Sequence, residues 1–181
     1  AAIASLKGIR EVTCIDLNNN GNTDLVAIGP DGVFTLEFRG GRLRRNRVPD
    51  VSAKHGVAAD VDADGRTDLV FVGAERTVMH NATDNRHKWV DVRLPANAIG
   101  ALVTAITKEG KRNVQRHGSM SNTGHSQSLQ ALHFGSAAGD PVVEVHVRWP
   151  GVPEPTSHEV TKKKRLLKPR SPNQAETEQP E

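Results

Sequence analysis

Two polar loops of the 181-residue chain carry oxygen-bearing side chains at a spacing that suits a bound cation. Each loop follows an apolar stretch, has glycine at its sixth position and ends in Thr-Asp-Leu-Val. Oxygens at positions 1, 3, 5 and 9, with a main-chain carbonyl at position 7, can surround a hard ion, and the glycine permits the tight turn. The predicted ligands are Asp16, Asn18, Asn20, Asn22 and Asp24 in the first loop and Asp60, Asp62, Asp64, Arg66 and Asp68 in the second, with Asn22 and Arg66 in the carbonyl position.

The predicted ion is Ca²⁺, because calcium accepts a flexible oxygen cage whereas magnesium demands strict octahedral geometry. The second loop offers four carboxylates and the first only two, so we expect tighter binding over Asp60–Asp68. An EF-hand is excluded, because position 12 is Ala27 in one loop and Phe71 in the other instead of glutamate. The alternative is that both loops are turns rich in aspartate and asparagine that bind no metal.

The elements around these loops predict an all-β chain. The loops lie 44 residues apart, and each sits between two short apolar stretches followed by a third, with no helical period. From Lys88 onwards longer alternating stretches appear, as in Trp89–Leu94, Leu102–Thr107 and Val143–Trp149, which is typical of strands with one buried face. We therefore predict two repeats of about three short strands each over residues 1–85. A β-sandwich or barrel-like domain over 86–161 should follow, and then a tail over 162–181 that is disordered or docks on a partner.

The loop pattern resembles the calcium-binding repeat of the FG-GAP/VCBS type, which reads D-x-[DN]-x-[DN]-G-x-x-D-L. This resemblance implies that residues 1–85 form two propeller-blade-like repeats, an incomplete propeller, and that the ion is structural. Two blades cannot close a propeller. We therefore expect either that the sequence is a fragment of a larger propeller protein, or that its exposed blade edges are covered by the second domain or by other chains.

The second half of the chain resembles the ASPIC/UnbV domain, which commonly follows such repeats. The matching motifs, in order, are Lys88-Trp89-Val90-Asp91-Val92-Arg93-Leu94, Asn97-Ala98-Ile99-Gly100-Ala101, Leu132-His133-Phe134-Gly135 and Val145-His146-Val147-Arg148-Trp149-Pro150-Gly151. This resemblance covers roughly residues 86–161. It implies an extracytoplasmic protein with an adhesive or matrix-like role, and it offers no established catalytic residues to transfer to this sequence.

The charge and composition of the chain limit the classes of partner that it is expected to bind. The net charge of +3 is carried entirely by residues 162–181, and a second basic group, Arg39 to Arg47, lies in a stretch that we predict to be a loop. Aromatic residues make up only 3% of the chain, so the stacking platforms of single-strand binders are scarce and we expect no nucleic-acid binding. No apolar run is long enough to span a membrane. The single cysteine excludes an intramolecular disulfide framework and a cysteine-based zinc site.

These observations predict a non-catalytic, calcium-stabilised extracellular or periplasmic protein with a structural or adhesive role, which assembles with itself or a larger complex through open β edges and its tail. One alternative is a carbohydrate-binding module with a glycan as partner. Another is a hydrolase using Ser126, within a sequence close to a nucleophile elbow, or a histidine site. Asn81 begins an Asn-Ala-Thr glycosylation sequon.

Overall fold

The structure is a computed structural model that describes residues 7–39, 42–83, 86–118, 131–161 and 166–172. These residues form strands and one 3₁₀ helix, Ala96–Ala98, but no α-helix, which confirms the predicted all-β fold class. No helix within the described ranges has the length and apolarity that crossing a membrane requires. The strands are β1 (Glu11–Ile15), β2 (Asp24–Gly29), β3 (Gly32–Arg39), β4 (Arg42–Val48), β5 (His55–Ala59), β6 (Asp68–Val72), β7 (Arg76–Met79), β8 (Lys88–Val92), β9 (Leu102–Thr107), β10 (Arg112–Arg116), β11 (Leu132–Ser136), β12 (Val142–Arg148), β13 (Thr156–Glu159) and β14 (Leu166–Leu167).

The chain divides into two compact units, one formed by the described residues up to 83 and the other by those from 86 onwards. The first unit holds two antiparallel sheets, with strand orders β1-β2-β3-β4 and β5-β6-β7. Both are meanders whose first hairpin carries one of the two polar loops, between β1 and β2 and between β5 and β6.

One apolar cluster holds the two sheets of the first unit together. Alternation along β2 directs Val26 and Ile28 into this cluster, and alternation along β6 does the same for Leu69 and Phe71. Burying a side chain of this size contributes about 1.5 to 3 kcal/mol. A polar contact accompanies the cluster, because the buried Glu11 of β1 accepts the Gly56 N–H of β5 at 2.9 Å.

The arginine-rich stretch that the sequence predicted to be a loop is strand β4. It pairs with β3 in continuous antiparallel register from Val33 opposite Val48 to Arg39 opposite Arg42. The guanidinium carbon of Arg45 lies 5.2 Å from the centre of the Phe34 ring, so a long cationic side chain covers an aromatic one. The prediction failed because it read the arginines only as solvated charges.

The second unit has two sheets, with strand orders β10-β9-β12-β13 and β11-β8-β14, around a separate apolar core. Its described strands do not close into a barrel, and the arrangement is sandwich-like. The alternating stretches expected from the sequence are β8, β9 and β12, and their buried members, such as Val90 and Val145, are fully buried. The buried Trp149 donates its indole N–H to the Thr156 hydroxyl at 2.9 Å.

The last strand, β14, lies inside the segment 162–181 that the sequence assigned to a disordered or partner-docked tail. Leu166 and Leu167 pair in parallel with Asp91 and Val92 of β8, and Leu167 is buried in the core of this unit. This pair is the only apolar one in an otherwise polar segment, which explains why it returns to its own sheet. Residues 162–165 and 173–181 lie outside the described residues.

Candidate metal-binding loops

The first loop is organised by two aspartates that accept main-chain N–H groups. Asp16 accepts Asn20 N–H at Oδ1 (3.1 Å) and Gly21 N–H at Oδ2 (2.7 Å). Asp24, at the start of β2, accepts Leu17 N–H at 3.1 Å and Phe38 N–H of β3 at 3.1 Å. Asp16 therefore curls the loop, and Asp24 fastens it to the third strand.

The second loop repeats these bonds. Asp60 accepts Asp64 N–H at Oδ1 (3.1 Å) and Gly65 N–H at Oδ2 (2.9 Å). Asp68 accepts Val61 N–H at 2.9 Å and, from the segment after β7, Asn81 N–H at 2.7 Å. The sequence repeat is thus a repeat of hydrogen-bond geometry.

The backbone of both loops enters the left-handed region at the same two positions. Gly21 and Gly65 have φ angles of 77° and 83°, which glycine adopts without strain. Asn19 and Ala63 have φ angles of 57° and 62°. Asparagine tolerates this conformation, whereas alanine does so only when the surrounding structure imposes it. The second loop therefore holds a conformation that its own sequence does not favour.

The exit aspartates are the buried carboxylates of the site, with Asp24 0% and Asp68 1% exposed. Burial raises the pKa of Asp24 above its ordinary value, and the nearby carboxylates of Asp16 and Glu37 raise it further, whereas the N–H groups of Phe38 and Leu17 lower it. A buried carboxylate that faces two other carboxylates is an environment that a bound cation would relieve.

The predicted ligands are brought together to different degrees. In the second loop, ligand oxygens of Asp60, Asp62 and Asp64 lie within 4.8 Å of one another. In the first, Asn18 Oδ1 accepts Asn20 N–H and Asn20 Oδ1 accepts Asn22 N–H, so the amide oxygens line the same turn.

The sequence predicted that Arg66 contributes only its main-chain carbonyl as a metal ligand, but its side chain also contacts the loop. Its guanidinium contacts Asp64 Oδ2, so it competes with a metal ion for one carboxylate of the second loop.

Two polar residues near the loops were missed by sequence reasoning. Glu37, in β3, accepts the side-chain amide of Asn18 at 3.4 Å, and His80, directly after β7, lies beside Asp62 and Asp68. They occupy equivalent places in the two repeats. Glu37 precedes Phe38, whose N–H binds Asp24, and His80 precedes Asn81, whose N–H binds Asp68. The sequence carried one signal for this pair: Glu37 and His80 stand 43 residues apart, near the end of the third strand of each repeat.

The two loops are also joined to each other. Asn19 of the first loop donates its amide to the Gly65 carbonyl of the second at 2.8 Å. The side-chain amide of Asn81 donates two hydrogen bonds through Nδ2, to the Leu17 carbonyl at 2.6 Å and to the Thr67 carbonyl at 3.1 Å. A change in one loop can therefore be transmitted directly to the other.

The Asn81 sequon is part of this connection. A glycan would replace one hydrogen of the same amide nitrogen that donates to both carbonyls, so glycosylation would have to break at least one of these contacts. Glycosylation of Asn81 stays a prediction, and the local contacts disfavour it.

Substituting alanine for Asn81 is expected to lower the free energy of unfolding by about 1 to 3 kcal/mol, because it leaves two carbonyls without their donor. The main-chain bond from Asn81 to Asp68 remains in this variant. The measurement is urea unfolding followed by far-UV circular dichroism. Asn97→Ala, which changes an exposed asparagine of the second unit, is the control. Equal stabilities of the two variants would contradict a bridging role.

The hydrolase alternative has no structural support or refutation, because Ser126 lies outside the described residues. Among the histidines, His133 Nδ1 lies 2.7 Å from Asp91 Oδ1 on neighbouring strands of the second unit. This pair fits a cross-strand polar contact on the outer face of its sheet.

Comparison with known proteins identifies part of the chain. A search of curated proteins and a search of solved structures each returned no match. The family model described as ASPIC and UnbV matches residues 92–175, which include strands β9 to β14. Residues 92–175, which make up most of the second unit, therefore match the ASPIC/UnbV family.

Proposed function

We propose that the chain is a non-catalytic, calcium-stabilised structural or adhesion protein, in which two repeats of the FG-GAP/VCBS type precede the ASPIC/UnbV domain. The observation that carries this proposal is the repeated geometry of the two loops, each with the same hydrogen bonds around a first and a ninth aspartate. Both loops present hard oxygen donors, which are the ligands that Ca²⁺ takes.

Calcium binding to the second loop is expected to be the tighter, since it has four carboxylates. Two contacts reduce the expected difference. Arg66 occupies part of Asp64 in the second loop, and Glu37 adds a carboxylate near the first. An extracellular or periplasmic location fits such loops, because extracellular modules bind calcium at about 10⁻⁴ to 10⁻³ M.

Assembly through the first unit is supported by an apolar face of its second sheet. Val57, Val70 and Val78 are cross-strand neighbours on β5, β6 and β7, and Val57 and Val78 are 41% and 49% exposed. One repeat earlier, Val26 and Ile28 hold the positions of Val70 and Val72 and are buried between the sheets. The second sheet therefore has a face suited to receive a further sheet, from another copy or a larger complex. The arginines of β4, by contrast, discourage pairing at that edge.

The test is thermal unfolding of the full chain with excess calcium and with chelator. Calcium at about 100 times its dissociation constant adds about 2.7 kcal/mol per site to the free energy of unfolding. Each occupied site should therefore raise Tm by roughly 5 to 10 °C. Hydrogen exchange should slow in peptides that contain the two loops. Asp60→Ala should abolish the part of the calcium-dependent rise in Tm that comes from the second loop, and Asp16→Ala should abolish the part that comes from the first. An unchanged Tm in calcium would contradict the proposal.

Light scattering of the same samples tests the assembly. Val78→Lys should abolish any mass above that of the monomer, whereas Val114→Lys, on an exposed valine of the second unit, should leave it unchanged. A monomer at high protein concentration in calcium would remove self-assembly from the proposal and leave the calcium sites standing.

A further inference from the structure

The imidazole of His80, which was not among the predicted metal ligands, lies beside the second loop. His80 follows strand β7, and its Nδ1 lies 3.5 Å from Asp62 Oδ2 and 3.7 Å from Asp68 Oδ2. One atom from each of these three residues lies within 4.8 Å of the others. The three side chains come from the loop, from the start of β6 and from the segment after β7, so the grouping depends on the fold.

The distances distinguish this grouping from an ordinary hydrogen bond. An N–H···O bond spans about 2.7 to 3.2 Å, so His80 is too far from both carboxylates to be bonded to either. Two ligands at about 2.1 Å from a tetrahedral Zn²⁺ are separated by about 3.4 Å. Other histidine–carboxylate pairs of this chain are in direct contact, with His133 at 2.7 Å from Asp91 and His55 at 3.1 Å from Glu11.

We propose that the second loop binds a divalent transition-metal ion of the Zn²⁺ type through His80 Nδ1, Asp62 Oδ2 and Asp68 Oδ2, in competition with Ca²⁺. The proposal deepens the proposed function, on which it rests for the role of the loop as a structural cation site. Imidazole is a ligand that zinc, copper and nickel prefer, whereas calcium prefers oxygen alone. Three protein ligands leave a fourth position open to water.

The carboxylates are held in place for this role. Asp68 is fixed by its two main-chain donors, Val61 and Asn81. Asp62 accepts Asp64 N–H through Oδ1 at 3.2 Å, and its other oxygen, Oδ2, is the one nearer His80. His80 itself is 59% exposed, which leaves a path for an ion from solvent.

The first loop supplies the contrast within the same molecule. Glu37 occupies the place of His80, so the ligands around Asp24 are all oxygens. The two loops therefore differ in their preference for a transition metal, which the imidazole nitrogen of His80 favours at the second loop and the oxygen ligands alone do not favour at the first. A chain with the two residues exchanged should exchange these preferences.

The experiment is isothermal titration calorimetry of the full chain with Zn²⁺ alone and with Ca²⁺ alone. The variants are His80→Glu, which gives the second loop the chemistry of the first, and Glu37→His, which does the reverse. His146→Ala, which removes a histidine paired with Glu144 in the second unit, is the control for zinc binding elsewhere. Circular dichroism confirms that each variant is folded.

The expected result is one zinc site whose affinity falls by at least about 100-fold in His80→Glu, because loss of an outer-shell partner alone costs 10- to 100-fold. The same variant should retain calcium binding, Glu37→His should gain a zinc site, and His146→Ala should leave the His80-dependent site intact. Zinc affinity equal in wild type and His80→Glu, or no zinc binding at all, would overturn the inference while leaving calcium untouched. Zinc binding that depends on His80, without calcium binding to either loop, would support the inference and refute the calcium proposal.

Discussion

Replacing Asp68 with alanine is expected to lower the free energy of unfolding by about 2 to 5 kcal/mol even without metal, because it deprives two main-chain donors of their acceptor. Asp68 is 1% exposed, and its carboxylate receives Val61 N–H and Asn81 N–H at 2.9 and 2.7 Å. These bonds fasten the loop to β6 and to the segment after β7. The variant should also lose the calcium and zinc responses of the second loop, as measured by urea unfolding and titration calorimetry.

Two further variants separate the structural and the metal-binding roles of this residue. Asp68→Asn keeps one acceptor oxygen but removes the charge, so it should lose most of the metal response with a smaller loss of stability in chelator. Asp62→Ala removes a carboxylate that is 43% exposed, and it should affect metal binding more than the stability of the metal-free chain. If Asp68→Ala were as stable as wild type in chelator, its two hydrogen bonds would have no energetic weight.

The polar loops could be predicted because their geometry is local. Asp16 and Asp60 bond to residues four and five positions ahead, and the glycine at position 6 supplies the left-handed turn. Spacing along the chain therefore carries nearly all the information about these contacts. The same holds for β8, β9 and β12, whose alternation follows directly from one buried face.

The missed features depend on contacts between distant segments. Glu37 reaches the first loop from β3, and His80 reaches the second from the residue directly after β7, so their approach depends on the pairing of β2 with β3 and of β6 with β7. Strand β4 was missed because charge alone does not indicate that an arginine such as Arg45 lies over an aromatic ring of the neighbouring strand. The bridging role of Asn81 was missed because the sequence, which offered it as a possible glycosylation site, could not show which carbonyls its amide would meet.

The glycines that close the second strands predict a further asymmetry between the repeats. Gly29 ends β2, and Gly73 directly follows β6. A Cβ on Gly73 would lie 2.3 Å from the Ser52 carbonyl oxygen, which belongs to the main chain leading into β5. A Cβ on Gly29 would meet first the flexible end of Ile9, at 3.1 Å. The nearest backbone atom to a Cβ on Gly29, the Gly8 carbonyl oxygen, would lie at an ordinary contact distance of 3.4 Å, so only Gly73 would force backbone atoms apart.

Gly73→Ala is therefore expected to destabilise the first unit by about 3 kcal/mol or more, at the upper end of what overpacking costs, and Gly29→Ala by about 1 kcal/mol or less. The main chain at Gly73 must move away from Ser52 to admit the methyl group. This movement strains two nearby hydrogen bonds, from Lys54 N–H to the Val72 carbonyl and from Gly73 N–H to the Glu75 carbonyl. Urea unfolding by circular dichroism measures both variants. Tryptophan emission provides an internal control, because Trp89 and Trp149 both lie in the second unit. Equal losses in the two variants would show that the main chain around Ser52 yields as easily as the side chain of Ile9, and that the close approach at Gly73 carries no structural constraint.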